Sequence, residues 1–178
     1  MTEISDRYRN VAQQFTERVT AVPADAWDNP APCEGWVARD VVRHIVDTTS
    51  YFLGESVDVP SVDDGPVAAW TAIRDITQAA LDDPEAMQQE RETPMGTMTI
   101  EKLIGRFGIT DLLVHTWDLA RATGLDETLD AEEMRRAYKL MEPNEERMRA
   151  GGAFGPRVEV PDDADEQAKF LAFTGRRP

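Results

Sequence analysis

Apolar residues recur in this chain at steps of three and four, segment after segment, and that spacing admits few folds other than packed helices. Ile4, Tyr8, Val11, Phe15 and Val19 mark one face of a helix from about Thr2 to Ala21. A loop rich in breakers follows, with Pro23, Pro30, Pro32 and Gly35. A second helix is expected from Trp36 to Gly54, with Val37, Val41, Ile45, Thr48 and Phe52 inward. Asp63 and Asp64 before Pro66 signal the start of a third, which buries Trp70, Ile73, Ile76 and Ala80 and stops before Pro84. Thr93-Pro94-Met95-Gly96-Thr97 reads as the turn of a small hairpin. The fourth helix is the most apolar, running from Ile100 to Thr123 and closing at Gly124, with a stripe of Ile100, Ile104, Phe107, Asp111 and His115.

A fifth helix opens with Asp130 and Glu133 at capping-box spacing, turns Met134, Ala137, Tyr138 and Met141 inward, and breaks at Pro143. Val158-Glu159-Val160 is a short extended piece, and a last helix capped by Asp163 with Glu166 buries Phe170, Leu171 and Phe173. The pattern predicts an all-α four-helix bundle with short additional helices. The 178 residues suit one domain spanning 1–178.

Charge narrows the partners. Nineteen basic side chains against 34 acidic ones leave a net charge of −15, which repels phosphate backbones and anionic lipid surfaces. Neither nucleic acid nor membrane is expected as a partner. No apolar run reaches the roughly 18 residues a membrane span needs, and Met1–Asp6 carries no apolar signal region. Cys33 is the one cysteine, so no intrachain disulfide can form, and a cytoplasmic location is expected.

The chain has two histidines, His44 and His115, and both fall on apolar faces. His44 follows Val37 and Val41 along the inward stripe of the second helix, and His115 follows Asp111 by four residues on the fourth. Residues at i and i+4 are neighbours, so Asp111 and His115 project together. A carboxylate turned toward a low-dielectric interior is costly unless paired, hydrogen-bonded or metal-bound. No lysine or arginine shares its stripe, and Arg106 belongs to another face. Two histidines and one carboxylate form a familiar ligand set for zinc or a related metal, and bundle cores build such sites from facing helices. A core hydrogen-bond cluster is the other reading of the same residues. Three ligands would leave a coordination position open to water or substrate.

Other residues carry weaker signals. Asp47 and Asp118, each three residues after a histidine, can orient the imidazoles or serve as ordinary helix polar groups. Cys33 precedes the second helix, where the dipole can lower a thiol pKa, or it is a small residue in a turn. Trp117 sits on a different face from His115 and reads as packing. The Gly151–Gly155 stretch lacks the preceding strand of a nucleotide loop, and no serine lies in a nucleophile elbow.

Pro32-Cys33-Glu34-Gly35-Trp36-Val37-Ala38-Arg39-Asp40-Val41-Val42-Arg43-His44 resembles the C-x-G-W-x-V-x-D-V-x-x-H segment of the mycothiol-dependent maleylpyruvate isomerase N-terminal domain family. Asp111 through Gly124 resembles that family's second block, and the closing stretch from Phe154 to Arg176 looks like an uncharacterised actinobacterial subgroup. The family is similar to the DinB-like four-helix bundles, which place a divalent metal on three bundle side chains. The resemblance implies His44, Asp111 and His115 as ligands, zinc or nickel as the metal, and mycothiol as a cosubstrate. It further implies a thiol-dependent transferase or isomerase acting on a small molecule, and a homodimer. Two departures accompany it. Asp111 is one methylene shorter than the glutamate of that isomerase, and the length leaves little room for its C-terminal domain. The alternatives are a metal-dependent hydrolase, with Asp47 as base, and a non-catalytic homodimeric stress or interaction module with a structural metal.

Overall fold

The computed structural model describes residues 2–54, 57–94 and 96–178. They fall into two compact units, Met1–Glu127 and Thr128–Pro178.

The first unit is a helix bundle. Its long members are α1 (Glu3–Ala21), α2 (Ala38–Leu53), α3 (Pro66–Asp82) and α5 (Ile109–Thr123). The Thr2 hydroxyl accepts from the Ser5 amide, and Glu3 and Asp6 in the first turn complement the dipole, so α1 starts where its sequence says it should. Tyr8, Val11, Phe15 and Val19 are buried, as their spacing predicts. Helices α1 and α2 each pack on both α3 and α5. They therefore stand diagonally across the bundle, and residues 22–37 must cross from one corner to the opposite one.

Helix α2 begins two residues later than expected, because Asp40 accepts from the Val37 amide and makes Val37 the cap. Helix α3 departs from the apolar pattern. Thr77 and Leu81 are buried beside Trp70 and Ile73, while Ile76 is 36% exposed. The Thr77 hydroxyl donates to the Ile73 carbonyl at 2.7 Å, so its polar group is satisfied within the helix and the residue can occupy the core. A reading by hydropathy alone passes over that position.

The hairpin is present as β1 (Glu90–Thr93) and β2 (Gly96–Thr99), antiparallel with Arg91 opposite Met98. Met95 of its expected turn lies outside the described residues. A short α4 (Ile100–Leu103) then passes through a π turn (Ile104–Gly108) into α5 without a break. The expected helix over Ile100–Thr123 is thus present, with one irregularity that periodicity could not show. A π turn accommodates an extra residue and rotates the downstream helix by about 100° relative to a continuous α-helix. Ile104 is fully buried and Phe107 half-buried, so the stripe expected to run evenly from Ile100 to His115 is broken between them. Gly105 faces α1 at this point: a Cβ there would stand 2.7 Å from Ile4 Cδ1.

The second unit holds α6 (Ala131–Met141), a 3-10 turn over Glu142–Asn144, α7 (Glu145–Ala150) and α8 (Glu166–Phe173). Asp130 caps α6 by accepting from the Glu133 amide at 2.9 Å. Met134, Ala137 and Met141 pair with Phe170–Phe173 as its core. Asp165, not Asp163, caps α8, accepting from the Ala168 amide at 2.7 Å. The turn that closes between Pro161 and Ala164 uses up the residues before it and moves the helix start to Glu166. The extended piece is tied to α8 through the Val158 amide and the Ala172 carbonyl. Helices and one two-stranded hairpin make up the regular structure of the described residues, so the fold is all-α, as expected for a DinB-like bundle.

Candidate metal centre

All three expected ligands lie in the first unit and converge. Asp111 and His115 come from α5, one turn apart, and His44 from α2, which packs against it. His44 Nε2 stands 3.1 Å from Asp111 Oδ2 and 3.4 Å from Oδ1. His115 Nε2 stands 3.4 Å from the same Oδ1. The three donor atoms lie within 4.8 Å of one another. Hydrogen bonds between imidazolium and carboxylate close to about 2.7–2.9 Å. Metal–donor bonds of roughly 2.0–2.1 Å in a tetrahedral site instead set adjacent donors about 3.3–3.4 Å apart. The two contacts at 3.4 Å match the second spacing and the one at 3.1 Å lies between the two, and the N,N,O donor set suits a divalent cation. The residues present therefore fit the metal that the resemblance implies.

The site faces the bundle interior on one side only. The His44 side chain is 33% exposed and that of Asp111 29%, whereas His115 is 7% exposed. One flank is core and the other is open to solvent. Burial works against the charge on Asp111. The neighbouring His115 charge and the hydrogen bonds from both imidazoles outweigh it and hold the carboxyl well below its usual range. Burial likewise favours a neutral His115. The Asp111 charge, the hydrogen bond with Asp111 and the close approach of Asp118 and Cys33 win, and raise that imidazole well above the ordinary histidine value.

Three further residues complete the surroundings. Trp36 lies with its ring 5.1 Å from His44 and 5.8 Å from His115, nearly parallel to the latter at 17°. Asp118 is wholly buried, with Oδ2 at 2.9 Å from His115 Nδ1. Cys33 Sγ donates to that oxygen at 3.5 Å. Cys33 and Trp36 reach the site through one tight turn. The Trp36 amide donates to the Cys33 carbonyl, and Gly35 takes φ +77°, a conformation glycine adopts without cost. The Ala31 amide bonding to the Trp36 carbonyl, and Ala38 to Asn29, close the loop behind it. The crossing from α1 to α2 thus covers the site.

Sequence reasoning passed over Trp36 as a site residue and left Asp118 and Cys33 undecided. The Cys33-x-Gly35-Trp36 turn just ahead of a histidine-bearing helix was the available signal. Asp47 is exposed on α2. Trp117 is 1% exposed and packs beneath Arg121, whose guanidinium lies 4.6 Å from the ring centroid. Gly151–Gly155 forms a turn after α7 in the second unit.

The helix that carries His44 and the tryptophan turn before it fall within a stretch that matches a known family. Residues 8–58 match the mycothiol maleylpyruvate isomerase N-terminal domain family. The match contains the first histidine block, Pro32–His44, and ends before the second. The chain is also similar to two uncharacterised proteins of Mycobacterium tuberculosis, from strains CDC 1551 / Oshkosh and ATCC 25618 / H37Rv. Each is 28% identical over 176 residues, covering 95% of this chain and 95% of the relative. No solved structure matches significantly. Among the described residues, no helix is long and apolar enough to cross a membrane.

Proposed function

We propose that this protein holds a divalent cation on His44, Asp111 and His115 and uses it in a thiol-dependent transfer or isomerisation of a small molecule. A low-molecular-weight thiol, mycothiol in organisms that make it, is the cosubstrate. The observation that carries this reading is the approach of two Nε2 atoms, from two helices, to one carboxylate at 3.1–3.4 Å. The family match over residues 8–58 supports the thiol.

A cation bound there supplies Lewis acidity and lowers the pKa of a coordinating thiol. The side chains divide the remaining work. The two imidazoles contribute neutral donors, and Asp111 contributes one negative charge. A dication on that set retains one net positive charge, which favours an anionic fourth ligand such as a thiolate. Trp36 screens one side of the site, and the exposed flank of His44 and Asp111 admits the thiol and its acceptor. Asp47, the base a hydrolase would need, faces solvent.

The test starts with metal content by mass spectrometry on untagged protein, beside His44→Ala and Asp111→Ala. Near-stoichiometric metal, lost in both variants, is expected. Thiol consumption with electrophilic small molecules then follows, and should require the metal. Metal-loaded protein that leaves thiols unreacted points to a structural metal, and ester cleavage without thiol to a hydrolase. Protein that refuses zinc, nickel, manganese and iron leaves only a hydrogen-bond cluster and ends the metal reading.

A further inference from the structure

We propose that Asp118 is a positioning residue: its carboxylate accepts a hydrogen bond from the Nδ1–H of His115 and so commits Nε2 to the metal. This rests on the metal reading above and adds what orients the ring. Two groups of donor side chains share His115, His44 with Asp111 and Cys33 with Asp118. A neutral imidazole has one protonated nitrogen and one free lone pair, so only one side can coordinate. Asp118 Oδ2 lies 2.9 Å from Nδ1, the length of a charge-assisted hydrogen bond, whereas Asp111 Oδ1 lies 3.4 Å from Nε2. No hydrogen bond of good geometry reaches the buried Nδ1 from any described residue, and the Asp118 carboxylate is the acceptor that stands beside it. Such contacts often tighten only when a site is loaded. The Asp118 side chain is 0% exposed, which makes it depend on protein donors. Cys33 Sγ approaches the same Oδ2 and braces it from the turn that carries Trp36. One helix therefore grips one ring at both nitrogens, with Asp111 four residues before it and Asp118 three residues after.

The chain has two histidines, so long-range proton–nitrogen spectra of 15N-labelled, zinc-loaded protein resolve both rings. His115 is expected protonated at Nδ1 and metal-bound at Nε2. Metal on Nδ1, with Cys33 and Asp118 as its partners, overturns the proposal. Asp118→Asn keeps the shape and removes the charge, and should weaken zinc binding by about 10–100-fold. The thermal stability of metal-free Asp118→Asn, measured alongside, separates a positioning loss from a folding loss. Unchanged affinity overturns this inference alone, whereas wild-type protein that takes no zinc overturns the metal reading as well. If Asp118→Asn does not fold, the spectrum of the unaltered protein still decides, and Cys33→Ala, which removes the thiol beside Asp118 and His115, should weaken zinc several-fold.

Discussion

The Trp36 indole lies nearly parallel to the His115 imidazole, 17° between planes and 5.8 Å between centroids. An indole this close to a proposed metal ligand should report on it. Zinc addition is expected to change tryptophan emission, and Trp36→Phe should remove most of that change although three other tryptophans remain. Phenylalanine preserves part of the ring contact, so the affinity should fall by no more than about tenfold, the equivalent of a ring–ring interaction. A titration followed by fluorescence and by metal analysis checks both. An unchanged signal in Trp36→Phe would remove the tryptophan from the site.

Metal uptake should compete with protons at His115. Burial favours its neutral form, but the Asp111 charge and surrounding hydrogen bonds raise its pKa above the ordinary value of about 6.5. The sign comes from linkage. A raised folded-state pKa stabilises the metal-free protein fully below the unfolded value, and that contribution is lost as pH rises through the folded one. Coordination needs the deprotonated ring, so zinc affinity rises across the same interval and each binding event releases protons. Calorimetric titration in buffers of different ionisation enthalpy measures this. An affinity independent of pH from about 6 upward would contradict it.

Gly35→Ala isolates the turn that presents Cys33 and Trp36. No atom lies within 4 Å of a Cβ placed there, so the cost is backbone strain at φ +77° alone. The expected destabilisation is about 1–2 kcal/mol, with Gly35→Asn milder because asparagine tolerates this region. Denaturant unfolding checks it. Wild-type stability in Gly35→Ala would mean that the turn has no need of positive φ.

Asp82 joins the end of α3 to the start of α1. The Ser5 hydroxyl donates to its carboxylate, and Gln78 and Arg9 add their own bonds at 3.1 Å. The Ser5 bond is the main reason the carboxyl titrates below its usual range, ahead of partial burial, which opposes it, and of Gln78 and Arg9. A depressed pKa contributes stability above the unfolded value, and that contribution disappears as pH falls through the folded one. Asp82→Asn should therefore cost stability at neutral pH and nothing in strong acid. The side chain is 37% exposed, so screening keeps the loss below about 1 kcal/mol. Unfolding curves at pH 7 and in acid below the lowered folded value compare the two states, and equal losses at both would locate the effect elsewhere.

What could be read from the chain alone is whatever repeats within a turn or two of helix. Four-residue spacing brings Asp111 beside His115 in any fold that keeps α5 helical, and Thr2 and Asp130 announce their helices through local hydrogen bonds. The apolar periods located the bundle's helices to within a few residues. They misplaced Ile76 and Asp163, where a satisfied hydroxyl and a preceding turn mattered more than hydropathy or spacing. They also ran through the π turn at Ile104–Gly108 as though it were regular, since its extra residue leaves no mark on composition.

Packing decided the rest. His44 is 67 residues from Asp111, and only the contact of α2 with α5 brings them together. The crossing of the 22–37 loop carried Trp36 over the imidazoles and Cys33 against Asp118. Burial is a property of all the neighbours at once. The chain could place Asp111 and Asp118 on one helix, but only the tertiary structure left the first reachable from solvent and enclosed the second.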